Sequence, residues 1–204
     1  LVERLDRHLV AAAHVAERVL VPATTGAGKV GVFAVDPRAK GVDLRRQKGT
    51  SGERLSLMVL KDVAVDAGDV IGDPQGGREI LDWTVERTLA GLCMTELGVA
   101  AEALRMTAEY TSKREQFGKA IGSFQAVGQR AADAYIDVEA IRMTAYQAVW
   151  RLAQGLPATD EVRIAKFWAA EGGHRATYAA QHLHGGIGVD VDYPVHRYYL
   201  WARQ

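Results

Sequence analysis

The chain has 204 residues, and its 25 Lys and Arg residues balance 25 Asp and Glu residues, so the formal net charge is zero. This balance excludes nucleic-acid binding through bulk positive charge and a polybasic membrane anchor. A content of 48% hydrophobic and 25% charged residues is typical of globular proteins. The single cysteine, Cys93, excludes a disulfide framework and a cysteine-based zinc site. No apolar run is long enough to span a bilayer, so we expect a soluble, cytoplasmic protein.

Residues 1–74 have the pattern of short strands. They contain one aromatic residue, Phe33, and runs rich in Val and Leu alternate with Gly, Pro and Asp. This spacing of turn residues predicts part of an antiparallel sheet or barrel. The predicted strands are Arg18–Val21, Val30–Val35, Leu55–Leu60 and Val63–Val65.

From residue 75 onward the hydrophobic period becomes helical. Apolar residues recur every three or four positions from Arg78 to about Tyr110, and again from Phe124 to Leu152. Long amphipathic helices joined by short loops indicate an up-and-down bundle. The fold class is therefore α+β, with a partial β domain over 1–74 and a helical bundle domain over 75–204.

A third helix is predicted over Thr159–His184. Thr159 or Asp160 is the expected N-cap, because short polar side chains satisfy the first free backbone N–H groups of a helix. The Gly185-Gly186 pair is the expected stop, because glycine adopts the conformation that ends a helix.

Two motifs that suggest other chemistry are incomplete. The segment Thr25-Gly26-Ala27-Gly28-Lys29 lacks the first glycine and the final Ser or Thr of a phosphate loop, so it is interpreted as a hairpin turn. His182 and His184 have no third ligand at helical spacing, so no metal site is expected.

Three segments together resemble the flavin-dependent acyl-CoA dehydrogenase family. Residues 81–87 read LDWTVER, residues 113–125 read KREQFGKAIGSFQ, and residues 184–194 read HGGIGVDVDYP. The resemblance runs from about Leu9 to Gln204 in the family's order. It implies the later part of the family's middle β domain followed by most of its C-terminal helical bundle, and it implies FAD as the cofactor.

The resemblance also implies roles in cofactor binding. Arg114 would pair with the FAD pyrophosphate of a neighbouring subunit, Phe117 would lie against the adenine or its ribose, and Gln125 would hydrogen-bond nearby. The Gly185-Gly186 turn would let the backbone approach the dinucleotide, with His182 next to it where relatives commonly have Gln. Without the resemblance, Arg114 is a solvated charge and Phe117 is a hydrophobic residue tucked onto the bundle.

Glu86 and Arg87 are the candidate catalytic residues. A minority of the family, similar to the isovaleryl-CoA and long-chain enzymes, has the catalytic glutamate on the first bundle helix directly before an arginine. The resemblance therefore implies that Glu86 removes the α-proton of an acyl-CoA while Arg87 orients the carboxylate. The expected substrates are lipids or sterol side chains. The alternative is a solvated glutamate in the first helical turn, favoured there by the helix dipole.

One departure from the family pattern leads to a second hypothesis. Leu9-Val10-Ala11 aligns with a Trp-x-Ser/Thr segment that covers and hydrogen-bonds the flavin in relatives, and it offers neither a ring nor a hydroxyl. The chain is therefore either a divergent dehydrogenase or a non-catalytic assembly subunit that completes a sister chain's FAD site. The resemblance further implies a tetramer, homo- or hetero-oligomeric, and an electron-transferring flavoprotein as acceptor. A third reading is a helical binding module.

Overall fold

The computed structural model describes residues 2–204, and its description of side chains covers 5–26 and 28–204. The chain divides into two compact units, Leu1–Val85 and Glu86–Gln204. The domain boundary between residues 74 and 75 stays a prediction.

The first unit contains two antiparallel sheets of three strands each. The strands are β1 (Val2–Ala11), β2 (Val19–Thr24), β3 (Val30–Val35), β4 (Val42–Lys48), β5 (Arg54–Val63) and β6 (Val70–Ile71). Strand β5 lies between β1 and β4 in one sheet, and β3 lies between β2 and β6 in the other.

Both sheets contribute to one hydrophobic core. Val21 and Val35 come from β2 and β3, and Met58, Leu60 and Val63 come from β5; all five are almost completely buried. Burial of such side chains is the main force that holds two sheets together. The predicted antiparallel β portion is confirmed.

The strand boundaries differ in part from the sequence prediction. Strand β3 has the predicted bounds, β2 and β5 extend beyond theirs, and β1, β4 and β6 were not predicted. The separate strand expected over Val63–Val65 is wrong, because Val63 is the last residue of β5. Asp62, which separates the two predicted runs, lies within β5 and has a φ of 51°.

The interpretation of Thr25–Lys29 as a hairpin turn is confirmed. Strands β2 and β3 pair up to Thr24 and Val30, and the N–H of Thr25 donates to the carbonyl oxygen of Lys29 at 2.7 Å. The turn thus closes a hairpin in the sheet.

Four helices and a small hairpin form the rest of the described chain. The elements are α1 (Gly77–Lys113), β7 (Glu115–Gln116), β8 (Lys119–Ala120), α2 (Gln125–Ala153), α3 (Thr159–His184) and α4 (Val195–Trp201). The first residues of α1, up to Val85, belong to the first unit, and the rest of the helix belongs to the second. The three long helices and the bundle arrangement confirm the predicted helical part. None of the helices in residues 2–204 is long and apolar enough to cross a membrane.

Small side chains dominate the core of the helical unit. Ala100 on α1, Ala145 on α2 and Ala165 on α3 are each fully buried, and Ile141 is the largest side chain at 0% exposure in this cluster. Small residues let helix axes approach closely, so the packing depends on contact between backbones as well as side chains. This tight packing fixes where each helix places its polar groups.

Candidate functional site

The carboxylate of Glu86 contacts two side chains. Glu86 lies on α1, nine residues after the helix begins at Gly77, and its side chain is 24% exposed. Its Oε2 lies 3.7 Å from Nη1 of Arg87, and its Oε1 accepts a 2.9 Å hydrogen bond from Oγ1 of Thr159. The alternative that Glu86 is a first-turn residue favoured by the helix dipole is therefore wrong, since that effect fades beyond the first turn.

Thr159 has a role that the sequence did not predict. The N-cap position of α3 is occupied by Ala158, without a side-chain capping hydrogen bond, so the expected Thr159 or Asp160 cap is wrong. Thr159 is instead the first residue of α3, and its hydroxyl donates to Glu86 across 73 positions of sequence. A Thr near a helix start suggests a cap, and only the packing of α1 beside α3 reveals this other partner.

Phe117 lies at the tip of the β7–β8 hairpin, immediately after α1. Its side chain is 92% exposed, and its φ is 54°, a left-handed conformation that a bulky residue rarely adopts. Gly118 follows with φ of 78°. Two-residue turns of this kind favour Asn-Gly, so Phe at the first position costs free energy and leaves an aromatic face in solvent. Its one ring neighbour in the described chain is Phe124, edge-on at 6.2 Å between centroids.

Arg114 and Gln125 flank this hairpin. Arg114 follows the last residue of α1, and the N–H of Ile121 donates to its carbonyl oxygen at 2.8 Å. The Arg114 side chain is exposed and forms no ion pair within residues 5–204. Gln125 is the first residue of α2 and is also exposed. The two polar side chains and Phe117 thus belong to one continuous segment, open to solvent.

The predicted glycine turn lies where α3 ends. Gly185 has φ of 65° and ψ of −140°, which strongly favours glycine. A Cβ on Gly185 or Gly186 would meet no atom within 4 Å, so an approaching ligand would find open backbone there. Gly188 differs, because a Cβ added there would overlap the carbonyl oxygen of Gln181. The side chain of Gln181 also donates a hydrogen bond from Nε2 to the carbonyl oxygen of Gly188, at 3.2 Å.

The two histidines of this segment have different environments. His182 is exposed, with its ring 6.4 Å from that of Tyr178. His184 is buried; its Nδ1 lies 2.7 Å from the carbonyl oxygen of Ala180, and its ring stacks on Tyr110 at 4.5 Å. Burial lowers the pKa of His184, which favours the neutral ring. His184 is thus a packing residue that joins α3 to α1.

A cleft of about 640 Å³ adjoins Arg114. Arg114, Tyr110 and Lys113 line it from α1 and its end, and Tyr193 and Pro194 line it from the segment after the glycine turn. The cleft therefore brings the 113–125 motif beside the 184–194 motif within the helical unit.

The predicted site residues form two separate groups. From Glu86 to Lys113 α1 continues for 27 residues without interruption, which at about 1.5 Å per residue spans about 40 Å. Glu86 and Arg87 therefore lie far from Arg114 and Phe117 in the same chain. The two groups therefore lie at opposite ends of α1.

The Leu9-Val10-Ala11 segment lies at an irregularity of β1. The pairing of β1 with β5 shifts between Arg7 and Val10. Leu9 has φ of 55° and a side chain that is 62% exposed, and its N–H donates to Oε1 of Gln47 at 2.9 Å. This segment has no aromatic ring or hydroxyl of its own.

Comparison with known proteins assigns the family. The profile of the C-terminal domain of acyl-CoA dehydrogenases matches residues 75–204. The chain belongs to the acyl-CoA dehydrogenase family. The fold that the sequence resemblance implied is thus confirmed, and members of this family are flavin-dependent oxidoreductases.

Individual acyl-CoA dehydrogenases cover the β unit as well. Acyl-CoA dehydrogenase FadE27 of Mycobacterium tuberculosis is 44% identical over 200 residues, covering 93% of this chain and 52% of its own. The crystal structure of the ChsE4-ChsE5 complex from Mycobacterium tuberculosis superposes with a TM-score of 0.91 at 43% identity, covering 97% of this chain and 53% of that one. A variant of the Tcur3481-Tcur3483 steroid ACAD gives 0.89 at 40% identity, covering 98% and 53%. The chain spans about half the length of these relatives.

Features of this acyl-CoA dehydrogenase chain fit a flavin dinucleotide. Arg114, which has no ion-pair partner among the side chains that the structure describes, suits a pyrophosphate, because its guanidinium matches phosphate geometry. A 92% exposed Phe117, held in a costly conformation, offers a face for an aromatic ring. Open backbone at Gly185 and Gly186 allows close approach. The roles of individual residues stay predictions.

Proposed function

We propose that the whole protein is an FAD-dependent acyl-CoA dehydrogenase in which Glu86 removes the α-proton of an acyl-CoA thioester. The observation that supports this most directly is the placement of the Glu86 carboxylate, partly buried on α1 and contacted at both oxygens. A base must be held close to the atom it deprotonates, and two contacts limit the rotation of a flexible carboxylate.

The reaction converts a Cα–Cβ single bond into a double bond. Glu86 takes the α-proton, and the electron pair left on Cα forms the double bond as the β-hydrogen leaves with its own pair as hydride. Bound FAD supplies the hydride acceptor. Arg87 orients the Glu86 carboxylate through its 3.7 Å contact.

The second group of residues would serve the cofactor of a neighbouring subunit. The span of about 40 Å between Glu86 and the end of α1 supports this division, because it places the two groups at opposite ends of the helix. In this proposal the contacts come from Arg114, Phe117, Gln125, His182, Gly185 and Gly186. Cofactor binding across an interface requires an oligomer, and we propose a tetramer.

We propose a lipid or sterol side-chain thioester as substrate and an electron-transferring flavoprotein as acceptor. One similar structure, the Tcur3481-Tcur3483 variant, is a steroid ACAD, which supports the sterol class. A panel of butanoyl-, octanoyl- and hexadecanoyl-CoA, together with a CoA thioester of a steroid side-chain carboxylate, covers these possibilities.

The test is Glu86→Gln in the full-length protein, purified with any partner chain. We expect a loss of turnover of at least about 1,000-fold with flavin absorbance retained, because the amide cannot accept the proton. Glu79→Gln, which removes an exposed acid from the same helix, should retain full turnover. Retained turnover in Glu86→Gln, or no turnover by the unmodified protein with any member of the panel, would contradict the proposal.

A second candidate function is that of an assembly subunit without its own chemistry. The Leu9 segment supports it, since it offers the flavin neither a ring nor a hydroxyl. Complexes of two differently named chains among the similar structures also support it. The number of FAD molecules bound per subunit distinguishes the two candidate functions. One FAD per subunit in the chain purified without a partner would eliminate the assembly-subunit function.

A further inference from the structure

Thr159 makes an unusual contact for a residue at a helix start. Its hydroxyl could accept or donate within the first turn of α3, as Thr commonly does there. It donates instead to Oε1 of Glu86 on α1, at 2.9 Å. Other helix-borne threonines, such as Thr95 and Thr144, donate to carbonyl oxygens of their own helix.

The loop before Thr159 is fixed by its own contacts. Nε of Arg151, near the end of α2, lies 2.7 Å from the carbonyl oxygen of Pro157 and 3.1 Å from Oε1 of Glu161. Ala158 is 2% exposed and belongs to the bundle core. Thr159 therefore follows the buried Ala158 and a loop that the Arg151 contacts fix in place. Its hydroxyl thus has a defined position relative to α1.

Thr159 and Arg87 contact different oxygens of the carboxylate. The hydroxyl binds Oε1, and the guanidinium lies 3.7 Å from Oε2. Contact at both oxygens restricts rotation about the last bond of the Glu86 side chain. Such restriction matters for a base that must point one lone pair at a C–H bond, because small misplacement of a reacting group slows reactions strongly.

We propose that Thr159 is a positioning residue that holds the Glu86 carboxylate in the orientation needed to remove the substrate α-proton. This inference rests on the proposed function of Glu86. It assigns the start of α3 to the active site, together with the Arg151 contacts that fix the preceding loop. A purely structural role for the contact, joining α1 to α3, is the competing explanation.

The experiment compares Thr159→Val, Thr159→Ser and Thr95→Val in the full-length protein with any partner chain, using the panel thioester that gives the fastest turnover. Thr159→Val has nearly the same shape without the donor, and we expect kcat to fall about tenfold with KM changed less than twofold. Thr159→Ser should restore kcat to within about threefold. Thr95→Val is the matched control, because that hydroxyl donates to the Gly91 carbonyl oxygen of its own helix, and it should leave kcat unchanged.

A second readout follows proton transfer directly. Exchange of the substrate α-proton with deuterium oxide, measured by mass spectrometry under anaerobic conditions, should slow by a similar factor in Thr159→Val. Wild-type kcat and exchange in Thr159→Val, or equal losses in the Val and Ser variants, would overturn the positioning role. If Glu86→Gln removes turnover while Thr159→Val does not, this inference alone fails. If Glu86→Gln keeps turnover, the proposed function fails and the inference falls with it.

Discussion

The carboxyl group of Glu96 on α1 occupies the space that a side chain at position 173 of α3 would need. A Cβ built on Gly173 would lie 2.7 Å from Cδ and 2.8 Å from Cγ of Glu96, and closer still to Oε1. That Oε1 is buried and has no hydrogen-bond partner among the described residues. Gly173 thus accommodates a carboxyl group inside a core that otherwise consists mainly of small apolar residues.

Gly173→Ala should destabilise the protein, although alanine is the better helix former. The new methyl group forces the whole Glu96 side chain to move, which costs about 1–3 kcal/mol of unfolding free energy. In a Glu96→Ala background the same substitution should instead stabilise by up to about 1 kcal/mol, because the space is free and the helix propensity gain remains. Urea unfolding of the four variants measures this coupling. Gly172→Ala is the control, since its Cβ would meet neighbours only at 3.4 Å; equal effects of Gly173→Ala in both backgrounds would contradict the packing argument.

The same carboxyl group should make stability depend on pH. Burial raises the pKa of the Glu96 carboxyl group to about 7, and the positive charge of Lys166 on α3 opposes this rise. Burial also raises the pKa of the Cys93 thiol, three residues earlier on α1. The folded state therefore binds a proton that the unfolded chain has lost, so stability falls as pH rises from about 4.5 through about 7. The unfolding free energy of Glu96→Gln relative to that of the wild type should therefore increase by roughly 2 to 3 kcal/mol as the pH rises from 5 to 8. Urea midpoints across this range measure it, with Glu79→Gln as the control for losing a negative charge; a pH-independent difference would refute it.

The ion pair between Asp137 and Arg175 should respond asymmetrically to mutation. Arg175 donates from Nε to Oδ2 of Asp137 at 3.0 Å and from Nη2 to Oδ1, and the Asp137 side chain is 11% exposed against 50% for Arg175. Arg175→Ala leaves a nearly buried carboxylate without its partner and should cost about 2–3 kcal/mol. Asp137→Asn leaves a half-exposed guanidinium that water can solvate and should cost about 1 kcal/mol. Chemical denaturation of both variants tests the order, and a larger loss in Asp137→Asn would contradict it.

The predictability of each element follows from what it packs against. Strand β3 and the long helices bury an apolar face, and that face appears in the sequence as a run or a period. Strands β1 and β4 lie at the edges of their sheet and alternate apolar with charged residues, as in VDLRRQK, so no apolar run marked them. On α1 the period of large residues was partly misleading, because Leu92 is 52% exposed while the smaller Ala90 and Cys93 are buried.

The candidate site shows the same division. Glu86, Arg114 and Phe117 were predicted because family motifs include them, and the helix pattern placed Glu86 on α1, whereas the hairpin that carries Phe117 was not predicted. Thr159 and Glu96 were missed, because their partners lie far away in sequence and only the register between α1 and α3 brings them together. One signal for Glu96 was present: the Gly172-Gly173 pair in mid-helix costs helix stability and so indicates a close approach.

We expect Phe117 to lower the stability of the flavin-free protein and to raise its affinity for FAD. Phe117→Asn places at φ of 54° a residue that tolerates this conformation and removes an exposed ring, so the midpoint of thermal unfolding of the flavin-free protein should stay equal or rise. If the ring contacts a cofactor of the adjacent subunit, the same variant should lose FAD, with a dissociation constant at least about tenfold higher in fluorescence titrations. Phe117→Tyr, which keeps the aromatic face, should bind FAD within about twofold of wild type. Unchanged FAD affinity in Phe117→Asn would show that this exposed, strained ring has no part in holding the flavin.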